Sequence, residues 1–176
     1  NRSIMIPDIL CNIKVLVLDV DGVLTDGGII YNDRGAETKV FNVKDGLGIR
    51  LLMESGIRVC IVTGRRSEAL LHRCRNLGIS DIFDGVGDKA AVLNEIIEKT
   101  GVELEQVAAV GDDLPDLPLM RRVGVAVAVA DAVEPVRRAA HMVTEADGGN
   151  GAVREVCEAI LKAQKRWDPI LKGFTA

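Results

Sequence analysis

Aromatic residues are scarce, at 3% of the 176 residues. With one Trp, one Tyr and three Phe, the core has to be built from Val, Ile, Leu and Ala. Clustered positive charge is also missing. The net charge is -4 and no Lys/Arg-rich run forms a basic face, which argues against a nucleic-acid partner. It leaves room for a small anionic ligand, since a site needs only a few local cations. Cysteine pairs at close spacing are absent. Cys11, Cys60, Cys74 and Cys157 stand apart, and Cys60 sits inside an apolar run, as a buried thiol does. A reducing, cytoplasmic setting is expected. No apolar stretch of membrane-spanning length and no signal peptide are seen, so no membrane partner is expected.

What is present is a regular alternation. Four apolar runs, Val15–Leu18, Arg58–Val62, Val107–Val110 and Val125–Val129, are continuous rather than alternating, which predicts buried parallel strands. Helical patterns lie between them. Asp45–Ser55, Glu68–Leu77 and Lys89–Thr100 are followed by Gly56, Gly78 and Gly101, which are stop signals. Asn150–Gln164 reads as a final amphipathic helix, preceded by a flexible Gly148-Gly149-Asn150-Gly151 and followed by a tail at about 165–176. The fold class is therefore α/β: a Rossmann-like open parallel sheet with helices on both faces, in one domain over 1–176. One piece breaks the rhythm. Ile29–Asn32 and Glu37–Phe41, joined through Asp33-Arg34-Gly35, predict a β-hairpin (about 27–42) projecting from the carboxyl edge of the sheet.

Polar residues gather at the strand ends. The first strand runs into Asp19 and Asp21, the second into Thr63-Gly64-Arg65, and the Val107 strand into Gly111-Asp112-Asp113. Ligands of open α/β sheets bind beyond the carboxyl ends of the strands. An Asp at a strand end is often only a turn former or helix cap. Three such sites on one edge, with Lys89 available, are better explained by chemistry. Asp19 can attack phosphorus and form an aspartyl-phosphate. Asp21 can protonate the leaving alcohol and then activate water. Thr63 can donate its hydroxyl to a phosphate oxygen. Lys89 and a Mg²⁺ ion held by Asp19 and Asp112 can offset the repulsion between carboxylate and phosphate. Asp113 and Asp116 would support Lys89 or metal-bound water. The two histidines get ordinary readings: His72 on a helix surface, His141 without a ligand partner.

Four segments in order carry a resemblance: Asp19-Val20-Asp21-Gly22-Val23-Leu24-Thr25-Asp26, Val62-Thr63-Gly64-Arg65, Lys89, and Gly111-Asp112-Asp113-Leu114-Pro115-Asp116. They resemble the haloacid dehalogenase superfamily. The segments Phe41–Gly46, Arg73–Ile79, Val123–Ala132 and Gly148–Cys157 extend the likeness to its capless 3-deoxy-D-manno-octulosonate 8-phosphate phosphatase family. That resemblance implies a Mg²⁺-dependent phosphomonoesterase of lipopolysaccharide precursor biosynthesis. It assigns the metal to Asp19, the Asp21 carbonyl and Asp112. It assigns substrate contacts to Asp21, Asn42, Val43, Lys44, Asp45, Gly46, Arg50, Arg65, Arg73 and Lys89. It implies a homotetramer in which neighbours complete each active site. No cap domain fits between Asp21 and Thr63, or between Lys89 and Asp112. Ile29, Ile30, Val40 and Phe41 give the hairpin apolar surface to bury in self-association, and the C-terminal tail is either a frayed end or a lid on a neighbouring site. Two other readings compete: a phosphatase for another acidic keto-sugar such as 2-keto-3-deoxy-nonulosonate 9-phosphate, and a phospho-accepting receiver module. In a receiver, the phosphorylated Asp follows a later strand and the hairpin has no place.

Overall fold

The computed structural model describes residues 6–175. Six strands form one sheet: β1 (Val15–Leu18), β4 (Arg58–Val62), β5 (Asp81–Phe83), β6 (Val107–Gly111), β7 (Val125–Ala128) and β8 (Met142–Val143). The spatial order is β5-β4-β1-β6-β7-β8, and every pairing is parallel. β1 lies in the middle, with Leu18 level with Ile61 on one side and Val110 on the other. The chain leaves β1 toward β4 and β5, then returns to the other side for β6, β7 and β8. That reversal opens a crevice at the carboxyl ends of β1, β4 and β6.

The four long apolar runs are the central strands. All residues of β1, β6 and β7 are buried, which requires cover on both faces of the sheet. The edge strands β5 and β8 escaped the sequence reading. They have three and two residues, and Asp81 at the head of β5 looks polar. In the fold Asp81 is buried and paired with Arg58 and Lys99.

The helices α2 (Val43–Glu54), α3 (Glu68–Leu77), α4 (Lys89–Thr100) and α7 (Ala152–Ala163) connect and cover the strands. Shorter helices α1 (Ile6–Leu10), α5 (Leu117–Met120) and α6 (Glu134–Ala139) were not foreseen; each is too short to show a helical period. α3 and α4 have the expected bounds, closed by Gly78 and Gly101 in the left-handed region. α2 begins two residues earlier than expected because the Asn42 side chain caps it, accepting from the N–H of Lys44 and Asp45.

Two expectations need correction. The segment Gly148–Gly151 is packed in place, not flexible. Gly148 and Gly149 pack against the backbone of Gly22 and Thr25, where a Cβ would collide with main-chain atoms. Gly149 N–H donates to Val23 O and Gly148 N–H to Asp131. Nor is α7 the last helix. The tail forms α8 (Trp167–Thr175) after a turn at Lys165, and Trp167 lies between Arg154 and Lys162, 5.6 and 5.4 Å from its ring centre.

The hairpin is present but shorter than read: β2 (Ile30–Tyr31) pairs with β3 (Glu37–Thr38). Asn32 Oδ1 closes its turn by accepting from the N–H of Arg34 and Ala36. Val40 and Phe41 leave the ladder, and Phe41 packs onto the core beneath Arg73.

Candidate active site

The loop after β1 is wound tightly. The N–H groups of Val23, Leu24 and Thr25 all donate to Val20 O. The buried Thr25 hydroxyl accepts from the N–H of Gly22 and Gly27. Gly22, at φ +88°, does two things no other residue could: it takes the left-handed turn, and it leaves room for the Asp112 carboxylate that rests against it. The loop thus sets Asp19 and Asp21 beside the end of β6.

Asp19, Asp21, Thr63, Arg65, Lys89, Asp112, Asp113 and Asp116 all line one cleft of ≈ 490 Å³ at the sheet's carboxyl edge. Lys89 opens α4 and is 8% exposed. Its Nζ lies 2.8 Å from Asp19 Oδ1 and 2.6 Å from Asp116 Oδ1. The other oxygen of Asp116 accepts from the N–H of Asp112 at 2.9 Å and Asp113 at 3.3 Å. Asp116 therefore aims Lys89 and shapes the loop that carries Asp112. Asp113 does not reach Lys89; it caps the following turn through Leu114 N–H. Thr63 is buried, and its hydroxyl accepts from Arg65 N–H.

Carboxylate oxygens of Asp19, Asp112 and Asp116 all lie within 4.8 Å of one another. Burial pushes Asp112 up to about 8, with the charges of Asp19, Asp116 and Asp113 adding to it. Burial and Asp116 likewise raise Asp19 to about 6, against the pull of Lys89. Lys89 alone does not neutralise the cluster. Because both oxygens of Asp116 are already engaged, Asp19 and Asp112 are the carboxylates free to bind a cation. Two hard oxygen donors and an unbalanced negative field fit Mg²⁺.

The hairpin supplies residues that strand-end reasoning missed. Lys39, just past β3, forms ion pairs with Asp21 and with Glu37. Arg65 also pairs with Glu37, meets the Tyr31 hydroxyl at 3.1 Å, and lies 3.7 Å from Asp21 Oδ2. Burial pulls the Lys39 ammonium down, but its bonds to Asp21 and Glu37 outweigh this and leave it above the ordinary lysine range. The hairpin thus folds back onto the site instead of standing clear of it.

The other substrate candidates sit elsewhere in the subunit. Asn42, Asp45, Gly46 and Arg73 line a separate small crevice with Phe41. Arg73 donates to Asn42 O at 3.1 Å. The Asp45 carboxylate is buried and accepts from Arg154 N–H at 2.8 Å, joining α2 to α7. That bond commits one oxygen of Asp45 to joining the two helices. Val43, Lys44 and Arg50 are exposed on α2.

A family model for haloacid dehalogenase-like hydrolases matches residues 76–156. The 3-deoxy-D-manno-octulosonate 8-phosphate phosphatase of Yersinia pestis is 49% identical over 93% of this chain and 86% of its own length. This chain belongs to the haloacid dehalogenase-like hydrolases. Among solved structures, the Moraxella catarrhalis 3-deoxy-D-manno-octulosonate 8-phosphate phosphatase, in complex with magnesium, phosphate and the sugar acid, is 46% identical. It superposes with a TM-score of 0.94 over 96% of this chain and 97% of its own. The cobalt-bound Haemophilus influenzae phosphatase is 41% identical, with a TM-score of 0.91 over 96% and 99% of the two chains. Membership of this hydrolase family removes the receiver reading. It also fits the Asp-x-Asp-Gly loop and hairpin, which the hydrolase fold carries here without any cap among the described residues.

Proposed function

We propose that the protein is a Mg²⁺-dependent phosphomonoesterase that converts 3-deoxy-D-manno-octulosonate 8-phosphate to the free sugar acid and phosphate, in lipopolysaccharide precursor biosynthesis. The carrying observation is the cluster of Asp19, Lys89, Asp112 and Asp116 at the sheet's switch point. Its support is the Moraxella relative that holds magnesium, phosphate and the sugar acid on the same fold.

Asp19 is the nucleophile. Its oxygen bonds to phosphorus as the bond from phosphorus to the sugar oxygen breaks, and Asp21 gives that oxygen a proton. Asp21 then takes a proton from the water that releases phosphate from Asp19. Lys89, fixed by Asp116, faces Asp19 and lowers the repulsion between the nucleophile and the dianion. Thr63 offers its hydroxyl to a phosphate oxygen. Asp19, Asp112 and the Asp21 carbonyl would hold Mg²⁺, which when bound screens phosphate charge and orients the ester.

Arg65, Arg73 on α3 and, from the α2 region, Asn42, Val43, Lys44, Gly46 and Arg50 are the substrate-selecting residues in this reading. Those on α2 lie outside the subunit's own cleft, so they act on a neighbour's site. Ile29, Ile30 and Val40 on the hairpin are half or more exposed, which supports its packing against other subunits in a homotetramer. The exposed Leu171 and Phe174 of α8 support a role for the tail at such an interface. The protein acts in the cytoplasm. All four cysteines are unpaired, three are buried, and burial pushes Cys60 up to about 12, as inert thiols of a reducing compartment would be. No described helix is long and apolar enough to cross a membrane.

The test is kcat/KM across acidic sugar phosphates, with Mg²⁺ and after chelation. The octulosonate ester should be preferred and chelation should stop turnover. Equal rates on the octulosonate and nonulosonate esters would remove the substrate assignment and keep the phosphatase.

A further inference from the structure

The hairpin's Lys39 has no place in the reaction described so far, yet its setting is unusual. The residue follows a two-residue strand on an exposed ribbon, but its side chain is only 3% exposed. A buried ammonium is costly unless it is paired. Lys39 is paired twice, with Asp21 Oδ1 and with Glu37 Oε1 at 2.8 Å. Glu37 is in turn held by Arg65, which also bonds Tyr31. The chain Tyr31–Arg65–Glu37–Lys39 thus begins on the hairpin and ends on one oxygen of Asp21. Among the described hydrogen bonds and ion pairs, none of its side chains joins Asp19, Asp112 or Thr63; only the backbone N–H of Arg65 reaches the Thr63 hydroxyl.

A carboxyl group on a two-torsion side chain turns easily about its last bond. An ammonium on one oxygen removes that freedom. The second oxygen, Oδ2, carries no described hydrogen bond; it makes only a long ion pair of 3.7 Å with Arg65 Nε, and Asp21 lines the cleft. We propose that Lys39 is a positioning residue for proton transfer: by holding Oδ1 of Asp21, it presents Oδ2 to the oxygen that leaves phosphorus. As the bond from Asp19 to phosphorus forms and the ester bond breaks, the ester's electron pair stays on the leaving oxygen. The proton on Asp21 Oδ2 moves to that oxygen. The hairpin is then a working part of its own subunit's active site. This inference rests on the reading of Asp21 as acid and base.

The test compares two esters in Lys39→Met and Lys39→Gln. An alkyl ester, 3-deoxy-D-manno-octulosonate 8-phosphate, needs its leaving oxygen protonated. p-Nitrophenyl phosphate does not, because nitrophenolate leaves as the anion. kcat/KM covers the steps through departure of the leaving group, so it isolates that difference. With Mg²⁺ present, the Met variant should lose about 100-fold on the sugar ester and less than about 5-fold on the nitrophenyl ester, in line with the worth of a general acid. The Gln variant should show the same selectivity, with a gap of at least about 10-fold. Surviving nitrophenyl turnover reports that the Asp19 and Lys89 side of the site is assembled. Equal losses on both esters, loss of both activities, or no loss on the sugar ester would overturn the proposal. A wild-type enzyme inactive on the octulosonate ester would instead strike at the proposed substrate, and the comparison would then run on any alkyl phosphate it cleaves.

Discussion

Two lysines hold two aspartates in this site, and they do so from opposite kinds of structure. Lys89 reaches Asp19 from the first turn of a long helix, backed by buried Asp116 and the central strands. Lys39 reaches Asp21 from a ribbon with two residue pairs and half-exposed apolar side chains. The nucleophile's side is built into the sheet; the acid/base side is closed by an appendage. A two-stranded ribbon is marginal alone. Its ion pairs with Asp21 and Arg65 tie its order to that of the site, and its packing against other subunits would tie both to assembly.

The largest expected effect falls on the sheet side. Asp19→Asn should cut turnover by more than about 10⁴-fold while the melting temperature stays within a few degrees, because it removes the attacking oxygen and little packing. Retained turnover would overturn the mechanism. Lys89→Met should cost about 10³-fold in kcat and roughly 3 kcal/mol of stability, since it strands Asp19 and Asp116 as buried carboxylates. Denaturant unfolding beside steady-state kinetics reads both. An unchanged stability would mean that the sheet-side cluster is less dependent on Lys89 than its geometry implies.

The pH dependence sharpens the contrast further. Asp112 and Asp19 are raised to about 8 and about 6, whereas an unfolded chain would titrate them near 4. The native state therefore binds more protons than the unfolded state in that interval. Stability from these groups is complete below about pH 4 and is lost as pH climbs through the folded values. Metal-free protein should lose roughly 5 °C in Tm between pH 5 and pH 8, and Mg²⁺ should flatten that slope. A flat metal-free profile would show that the carboxylates do not strain the fold. The smallest effect concerns Asp45. Replacing it with Ala should cost about 1–3 kcal/mol by stripping Arg154 N–H of its partner. KM should move less than about threefold; a larger rise would mean that the carboxylate itself meets substrate.

The sheet side was legible in the sequence for a physical reason. Strands buried on both faces are continuous apolar runs, so β1, β4, β6 and β7 announce themselves, and the first polar residue after each falls at the same edge. Gly78 and Gly101 marked helix ends because the left-handed cap needs them. The hairpin side was not legible. Lys39 and Asp21 are eighteen residues apart, and no periodicity tells which way a ribbon leans. Nor does anything local show that Arg154 N–H will reach the Asp45 carboxylate from the far end of the chain. Gly148 and Gly149 read as flexible because glycine allows both looseness and close approach, and only the packed neighbour distinguishes them.

One reaction is divided between Asp19 on the sheet and Asp21 under the hairpin. Asp21→Asn separates the two halves. With p-nitrophenyl phosphate and Mg²⁺, this variant can still transfer phosphorus to Asp19 but lacks the base that hydrolyses the product. Acid quenching followed by intact and peptide mass spectrometry should find one phosphoryl group per chain, on Asp19. No phosphoryl adduct, or an adduct on a residue other than Asp19, would contradict the account.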